Sequence, residues 1–276
     1  MYKILSIDGG GILGIAPAKF LSLNPKYEAA DLYAGTSTGS IIAALLADGK
    51  SGTEITNLYI ELGKSAFKRP WYAELQTVWG LRTSKYSNKN FLAYLKRIFG
   101  EKRLGDLKYK VLIPTFNLET NKPKIQTNTR ANDPDLNILV ADAVARSCSA
   151  PTYFPSYQKF IDGGVIANNP SMCAIAELMA TGMDTENIQC LSLGTYDCRK
   201  RQSITKDVDY GVVEWALPIV NILLNGPSSI TEFEARCLLQ DNFRRISFES
   251  DKELALDSVD AIPYLIKLIE EKYVNI

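Results

Sequence analysis

Ala34-Gly35-Thr36-Ser37-Thr38-Gly39-Ser40 separates two runs of different character. Before it, Ala29-Ala30-Asp31-Leu32-Tyr33 reads as a strand. After it, Ile41-Ile42-Ala43-Ala44-Leu45-Leu46-Ala47 reads as a buried helix closed by Gly49. Strand, tight turn and helix are the setting of a G-x-S-x-G nucleophile elbow. Gly35 and Gly39 let the backbone turn without a Cβ in the way. That leaves the Ser37 hydroxyl proud of the sheet, at the positive end of a helix. Short Gly, Ser and Thr runs also form ordinary loops, so other features have to decide.

One is the triplet Gly9-Gly10-Gly11, which follows Asp8 and the strand-like Tyr2-Lys3-Ile4-Leu5-Ser6-Ile7. Successive glycines bare their N–H groups, which suits an anion such as the oxygen that gains charge in acyl transfer. Gly9, Gly11 and Gly14 also spell G-x-G-x-x-G, so a nucleotide loop is the competing reading; against it, no clear acid ends a second strand to hold a ribose, since Asp31 lies near the offset but falls just before the elbow. The other feature is an absence: the chain has no histidine. A Ser-His-Asp triad within the chain is therefore excluded. A Ser37 nucleophile needs a carboxylate, a lysine or a terminal amine as base. Asp162-Gly163-Gly164, after the strand-like Tyr157-Gln158-Lys159-Phe160-Ile161, fits a closely approached carboxylate, and it also fits a plain turn.

Outward from these motifs the chain alternates strands and helices. Strands are expected at 2–7, 109–117, 188–193 and 243–248. Helices are expected at 12–21, 55–62, 91–99, 137–147, after Asn169-Pro170 as far as Gly182, 215–224, 230–239 and 258–273. The pattern predicts a single α/β domain over residues 1–276, a three-layer sandwich around a mostly parallel sheet. Gly9–Gly11, Ser37 and Asp162 each follow an expected strand, so all three can meet at the C-terminal strand ends. The stretch 64–90 stands apart. It is rich in aromatics (Phe67, Trp71, Tyr72, Trp79, Tyr86) and cations (Lys64, Lys68, Arg69, Arg82, Lys85, Lys89). It reads either as a packed excursion or as a flap for an anionic lipid surface.

Composition narrows the classes. Of 276 residues, 46% are apolar, enough for a large core, and the formal net charge is zero, which argues against a dedicated nucleic-acid binder. No apolar run approaches the about 18–20 residues that span a bilayer. The start lacks the charged and apolar regions of a secretory signal. The five cysteines are odd in number and lack metal-type spacing, so they read as reduced thiols of a cytoplasmic protein. A homodimer through the apolar positions Ile262, Leu265, Ile266, Leu268 and Ile269 is allowed, although packing on the core is the simpler use of them.

Gly triplet, Ser elbow and Asp-Gly-Gly, in that order and without histidine, resemble the patatin-like phospholipase family. Ala150-Pro151-Thr152-Tyr153-Phe154-Pro155 is similar to the segment that precedes the family aspartate. Asp162-Gly163-Gly164-Val165-Ile166-Ala167-Asn168-Asn169-Pro170 is similar to the aspartate segment itself. Leu112–Asn117 and Leu191–Thr195 resemble family strands, so the likeness covers roughly residues 1–200. It implies a lipid acyl hydrolase of phospholipase A or lysophospholipase type, with no cofactor. It also implies a membrane lipid or lysolipid as substrate, met peripherally. No calcium-loop pattern of the EF-hand type appears and no Cys/His cluster is available for zinc, so calcium independence and no metal are expected. The resemblance gives a Ser37–Asp162 dyad, an oxyanion hole at Gly9, Gly10 and Gly11, and support from Gly35, Thr38, Gly39, Gly163 and Gly164.

Burial and missing cations are expected to raise the Asp162 pKa. Activity is expected to fall only as pH drops toward that value, with no step near the about 6.5 of histidine. Leu13 departs from the family, which usually has a basic residue there, and the first helix is short. A catalytically weak or inactive binding module is the alternative.

Overall fold

The computed structural model describes residues 1–66, 84–198, 207–209, 211–274 and 276. Most of the aromatic, cationic stretch, residues 67–83, lies outside them. β1 (Tyr2–Ile7) runs into a 3₁₀ turn at Gly11–Gly14 and then α1 (Ile15–Leu23). Pro17 falls in the first turn of α1, where its missing N–H costs nothing. β2 (Leu32–Gly35) leads into α2 (Thr38–Ala47), all ten residues of which are buried. Then come α3 (Gly52–Ala66) and α4 (Asn88–Phe99). Ser87 caps α4 by accepting from the Lys89 N–H, and Gly100 ends it at φ 57°.

β3 (Lys110–Asn117) and β4 (Lys122–Thr127) form a hairpin. After α5 (Val140–Ser147), β5 (Phe160–Asp162) returns to β3. The rest is α6 (Gly164–Ala167), α7 (Ser171–Met179), β6 (Ile188–Cys198), α8 (Val212–Leu239), β7 (Phe243–Ser250) and α9 (Ile262–Lys272).

The strands lie in the order β4-β3-β2-β1-β6-β7, with β5 on β3. The pairs β3–β2, β2–β1, β1–β6 and β6–β7 are parallel, and those of β3 with β4 and β5 antiparallel. Both faces are covered. Leu5, Ile7, Tyr33, Val111 and Ile113 join the core under α1–α5 and α9, whereas Ile4, Leu32, Ala34 and Leu112 join a second core under α7 and α8. Alternation along each strand therefore sorts apolar residues between two cores rather than between core and water. This is the expected three-layer α/β/α sandwich. Leu265, Leu268 and Ile269 of α9 are buried against the first core, the simpler use foreseen for them.

Several elements differ from expectation, four of them for reasons visible in the packing or pairing. β4 was not foreseen, because Lys122-Pro123-Lys124 lacks strand character; it lies at the sheet edge, where proline and lysine are tolerated. α5 starts at Val140 rather than 137. Ile138 and Val140 are bonded to Leu104 and Lys102 of another segment, which holds them out of a helix. Strand β6 runs on past Leu193 to Cys198. The two helices expected at 215–239 are one, continuous through Gly226-Pro227. No helix among the described residues is long and apolar enough to cross a membrane, and all five cysteines are free.

Candidate active site

β2 ends where the backbone must turn into α2, and Ser37 takes the strain, at φ 51° and ψ −123°. Several bonds hold it there. Its N–H donates to Ser147 Oγ at 3.0 Å, and its carbonyl accepts from the Ser40 N–H and hydroxyl. Gly39 passes so close to β1 that a Cβ there would meet the Ile7 carbonyl.

Sheet register delivers the carboxylate. β2 pairs with β3 only as far as Leu112, and β5 takes over the same edge from Thr115 to Asn117. β5 is antiparallel, so its last residue, Asp162, arrives just beyond the end of β2. The expectation that Asp162 follows a strand at the C-terminal end of a parallel sheet is thus met from the opposite direction. Ser37 Oγ donates to Asp162 Oδ2 at 2.6 Å, and the Gly164 N–H holds Oδ1 at 2.6 Å.

Asp162 is only 1% exposed. Burial lifts its pKa from 3.8 to about 7 against the pull of its bonds to Ser37 and Gly164. Among the described groups, no cation is among the causes of the shift, which fits the rise expected from the sequence. The size of the rise corrects the companion expectation. A carboxyl at about 7 titrates in the range of histidine, so a step near neutrality belongs to this site.

The Gly loop lies against the same serine. A Cβ on Gly9 would come within 3.2 Å of Ser37 Cβ. The Gly9 N–H, expected as an oxyanion donor, instead donates to the Asn168 carbonyl at 3.1 Å. The N–H groups of Gly10 and Gly11 have no hydrogen bond among the described residues, and Thr38 opens α2 with an N–H that has no acceptor within the helix. Thr195 Oγ1 donates to the Gly9 carbonyl, and the Leu256 carbonyl accepts from the Ile12 N–H. Gly163 donates to the Ser147 carbonyl and Asp162 to that of Ser149, so the end of α5 holds both dyad strands.

Leu13 is buried in the turn after the loop. The cation that reaches the start of the loop comes from β7. Arg245 Nη1 and Nη2 grip both oxygens of buried Asp8 at 2.8 and 2.6 Å, and Nη1 also donates to Ser192. Burial pushes the Asp8 carboxyl up, and Arg245 opposes it. Sequence reading missed Ser147, Asn168, Thr195 and Arg245. The first three stand in segments it singled out, but nothing in their residue type marked them. Arg245 carried no signal.

Asp31 holds the Lys3 N–H at the other end of β1 and β2 from the Gly loop, which agrees with the reading that it does not serve a ribose there. Among the described residues no group of three or more Cys, Asp and Glu could hold a metal.

Residues 5–175 match the family model described as patatin-like phospholipase. The chain is 26% identical to patatin-like protein 4 of Arabidopsis thaliana over 92% of this chain and 77% of that one. It is 28% identical to patatin-like protein 1 of Oryza sativa subsp. indica over 86% and 70%. To a cGAMP-activated phospholipase of Escherichia coli (strain TW11681) it is 30% identical over 70% and 62%. Among solved structures it is similar to VipD from Legionella pneumophila (TM-score 0.45, 13% identity, 96% of this chain and 66% of that one). It is also similar to ExoU in the ExoU–SpcU complex of Pseudomonas aeruginosa (TM-score 0.45, 18% identity, 99% and 50%). The chain spans about half to two thirds of those two structures.

Proposed function

The chain belongs to the patatin-like phospholipase family, and from that premise we propose that it is a lipid acyl hydrolase whose nucleophile is Ser37 and whose base is Asp162. The observation that carries this is the 2.6 Å bond from Ser37 Oγ to a buried Asp162 in a chain without histidine. Ser37 Oγ attacks the ester carbonyl and passes its proton to Asp162 Oδ2. The oxyanion is met by the N–H groups of Gly10 and Gly11, with that of Thr38. Gly9 shapes the loop rather than donating. Asp162 then protonates the leaving alcohol, deprotonates a water, and that water releases the fatty acid and frees Ser37. A carboxyl at about 7 suits both halves of the cycle better than one at its ordinary value, because near neutrality it takes and gives up a proton with similar ease.

The substrate class is a fatty-acyl ester of a phospholipid or lysophospholipid, met at a membrane surface by a cytoplasmic protein. The mechanism assigns no step to calcium. A panel of phospholipids, lysophospholipids and galactolipids, run with chelator and read by mass spectrometry, tests it. Wild type is expected to release fatty acid, and Ser37→Ala and Asp162→Asn to lose at least about 10³-fold of the rate.

Buried Leu13, where the family usually has a basic residue, favours the alternative of a weak or inactive binding module. Labelling of Ser37 by a fluorophosphonate separates the two, since only an activated serine reacts. A wild type that neither labels nor hydrolyses any member of the panel leaves the binding module.

A further inference from the structure

Among its described side chains, the long helix α8 has one side docked on the protein and an apolar side that is exposed. Ala235 and Leu239 are buried, Ser228 accepts from Asn168 beside the Gly loop, and Glu232 approaches Arg245. These positions share one side of the helix. On the opposite side Ile219, Ile222, Ile230 and Phe233 are 44%, 50%, 62% and 67% exposed. At 1.5 Å per residue they form a stripe about 21 Å long. Four large apolar side chains in one exposed line mark a contact surface rather than a scatter of ordinary surface residues.

Gly226 sits at the midpoint of that line. Among the described residues a Cβ added there would have no neighbour within 4 Å, so none of them requires glycine. Glycine inside a helix costs about 1 kcal/mol relative to alanine. What it offers is close approach by another backbone. The stripe is also symmetric about it. Ile222 and Ile230 lie four residues on either side, and Ile219 and Phe233 seven.

We propose that α8 is a homodimer interface, in which two copies of the helix cross antiparallel about a two-fold axis at Gly226. Ile219 of one copy then packs on Phe233 of the other, Ile222 on Ile230, and Gly226 on its own counterpart, an isologous contact. Charge argues against a lipid surface as the occupant. α8 carries three glutamates, one arginine and no lysine, whereas helices that lie on anionic bilayers are rich in lysine and arginine. The contact does not rest on the proposed reaction.

Sedimentation of the full chain at micromolar concentration is expected to give twice the mass of one chain. Phe233→Glu and Ile222→Glu, both on the exposed side, are expected to halve that mass with unchanged circular dichroism and melting. In a Cys237→Ser background, Gly226→Cys is expected to form a covalent dimer under mild oxidant, whereas Glu234→Cys, off the stripe, is not. A wild type of single-chain mass, a dimer that survives Phe233→Glu, or cross-linking as ready at 234 as at 226 overturns the proposal. Binding of the monomer to anionic vesicles that Phe233→Glu abolishes overturns it in favour of a membrane.

Discussion

Asp162 takes two bonds and is almost fully buried, and the cost of ionising it there sets the pH response. Its folded pKa of about 7 exceeds the ordinary 3.8. Between those values the native state keeps a proton that the unfolded state has lost, so stability falls as pH rises through the window and stays low above about 7. Asp162→Asn removes that charge. It is expected to raise stability at pH 8 by a few kcal/mol at most, read as a higher melting temperature, and to lose the advantage toward pH 4. Activity runs the other way, because the base must be ionised. The rate constant kcat/KM on a neutral ester is expected to climb with a midpoint near 7, and with no histidine in the chain that limb belongs to Asp162. A midpoint near 4 would show that burial does not raise this group. Ser147→Ala removes the acceptor of the Ser37 N–H. It is expected to cost about 1–3 kcal/mol of stability and to lower kcat more than it changes KM, with Ser147→Thr restoring much of both. Unchanged kinetics in Ser147→Ala would mean that Ser37 keeps its strained φ without this bond. The dyad was legible in the sequence because each member sits in a glycine-marked turn. Ser147 was not, since one serine in a Ser-Cys-Ser run looks like the next until the strands around it are placed.

Elements were legible where one local rule decided them. β1, β2 and α2 follow from apolar runs broken by glycine, and α4 from the amphipathic run at 91–99. The misses share a cause, which is tertiary context overriding local preference. β4 exists because β3 offers it an edge. α5 is shortened because its first residues bond to Lys102 and Leu104. α8 runs on through Pro227 although proline removes a helix bond, because Ser228, Ala235 and Leu239 beyond it dock on the body of the protein. β7 shows what an element contributes at a distance. Through Arg245 it reaches across β6 to Asp8, the residue before the Gly loop. Arg245→Met strands a buried carboxylate and is expected to cost about 3–5 kcal/mol in chemical denaturation. Asp8→Asn combined with Arg245→Met is expected to recover much of that loss. A double variant as unstable as the sum of the singles would show the pair to be uncoupled.

At the scale of the whole molecule, the segment that matches the family model ends at residue 175, and the fold does not. β1 is flanked by β2 on one side and on the other by β6, which begins at Ile188. Phe20 of α1 packs against Phe248, and Phe248 against Tyr273. Leu265 and Ile269 are fully buried against the same core. The Gly loop is bound even more closely to the later chain. Of the groups that fix it, Asn168 lies within the matching segment, whereas Thr195, Arg245 and Leu256 lie beyond it. A fragment of residues 1–175 would keep Ser37, Asp162 and all three glycines, yet expose an unpaired edge of its central strand, leave Asp8 without its counter-charge and uncover one face of α1. The fragment is expected to aggregate or to melt without a cooperative transition, and to leave Ser37 unlabelled by a fluorophosphonate under conditions where the full chain reacts. Adding residues 176–276 as a separate chain is expected to restore part of the labelling, because the missing contacts are non-covalent. A fragment that stays monomeric, melts cooperatively and labels at the rate of the full chain would show that the Gly loop takes its shape without β6, β7 and α9, contrary to every bond described for it beyond Asn168.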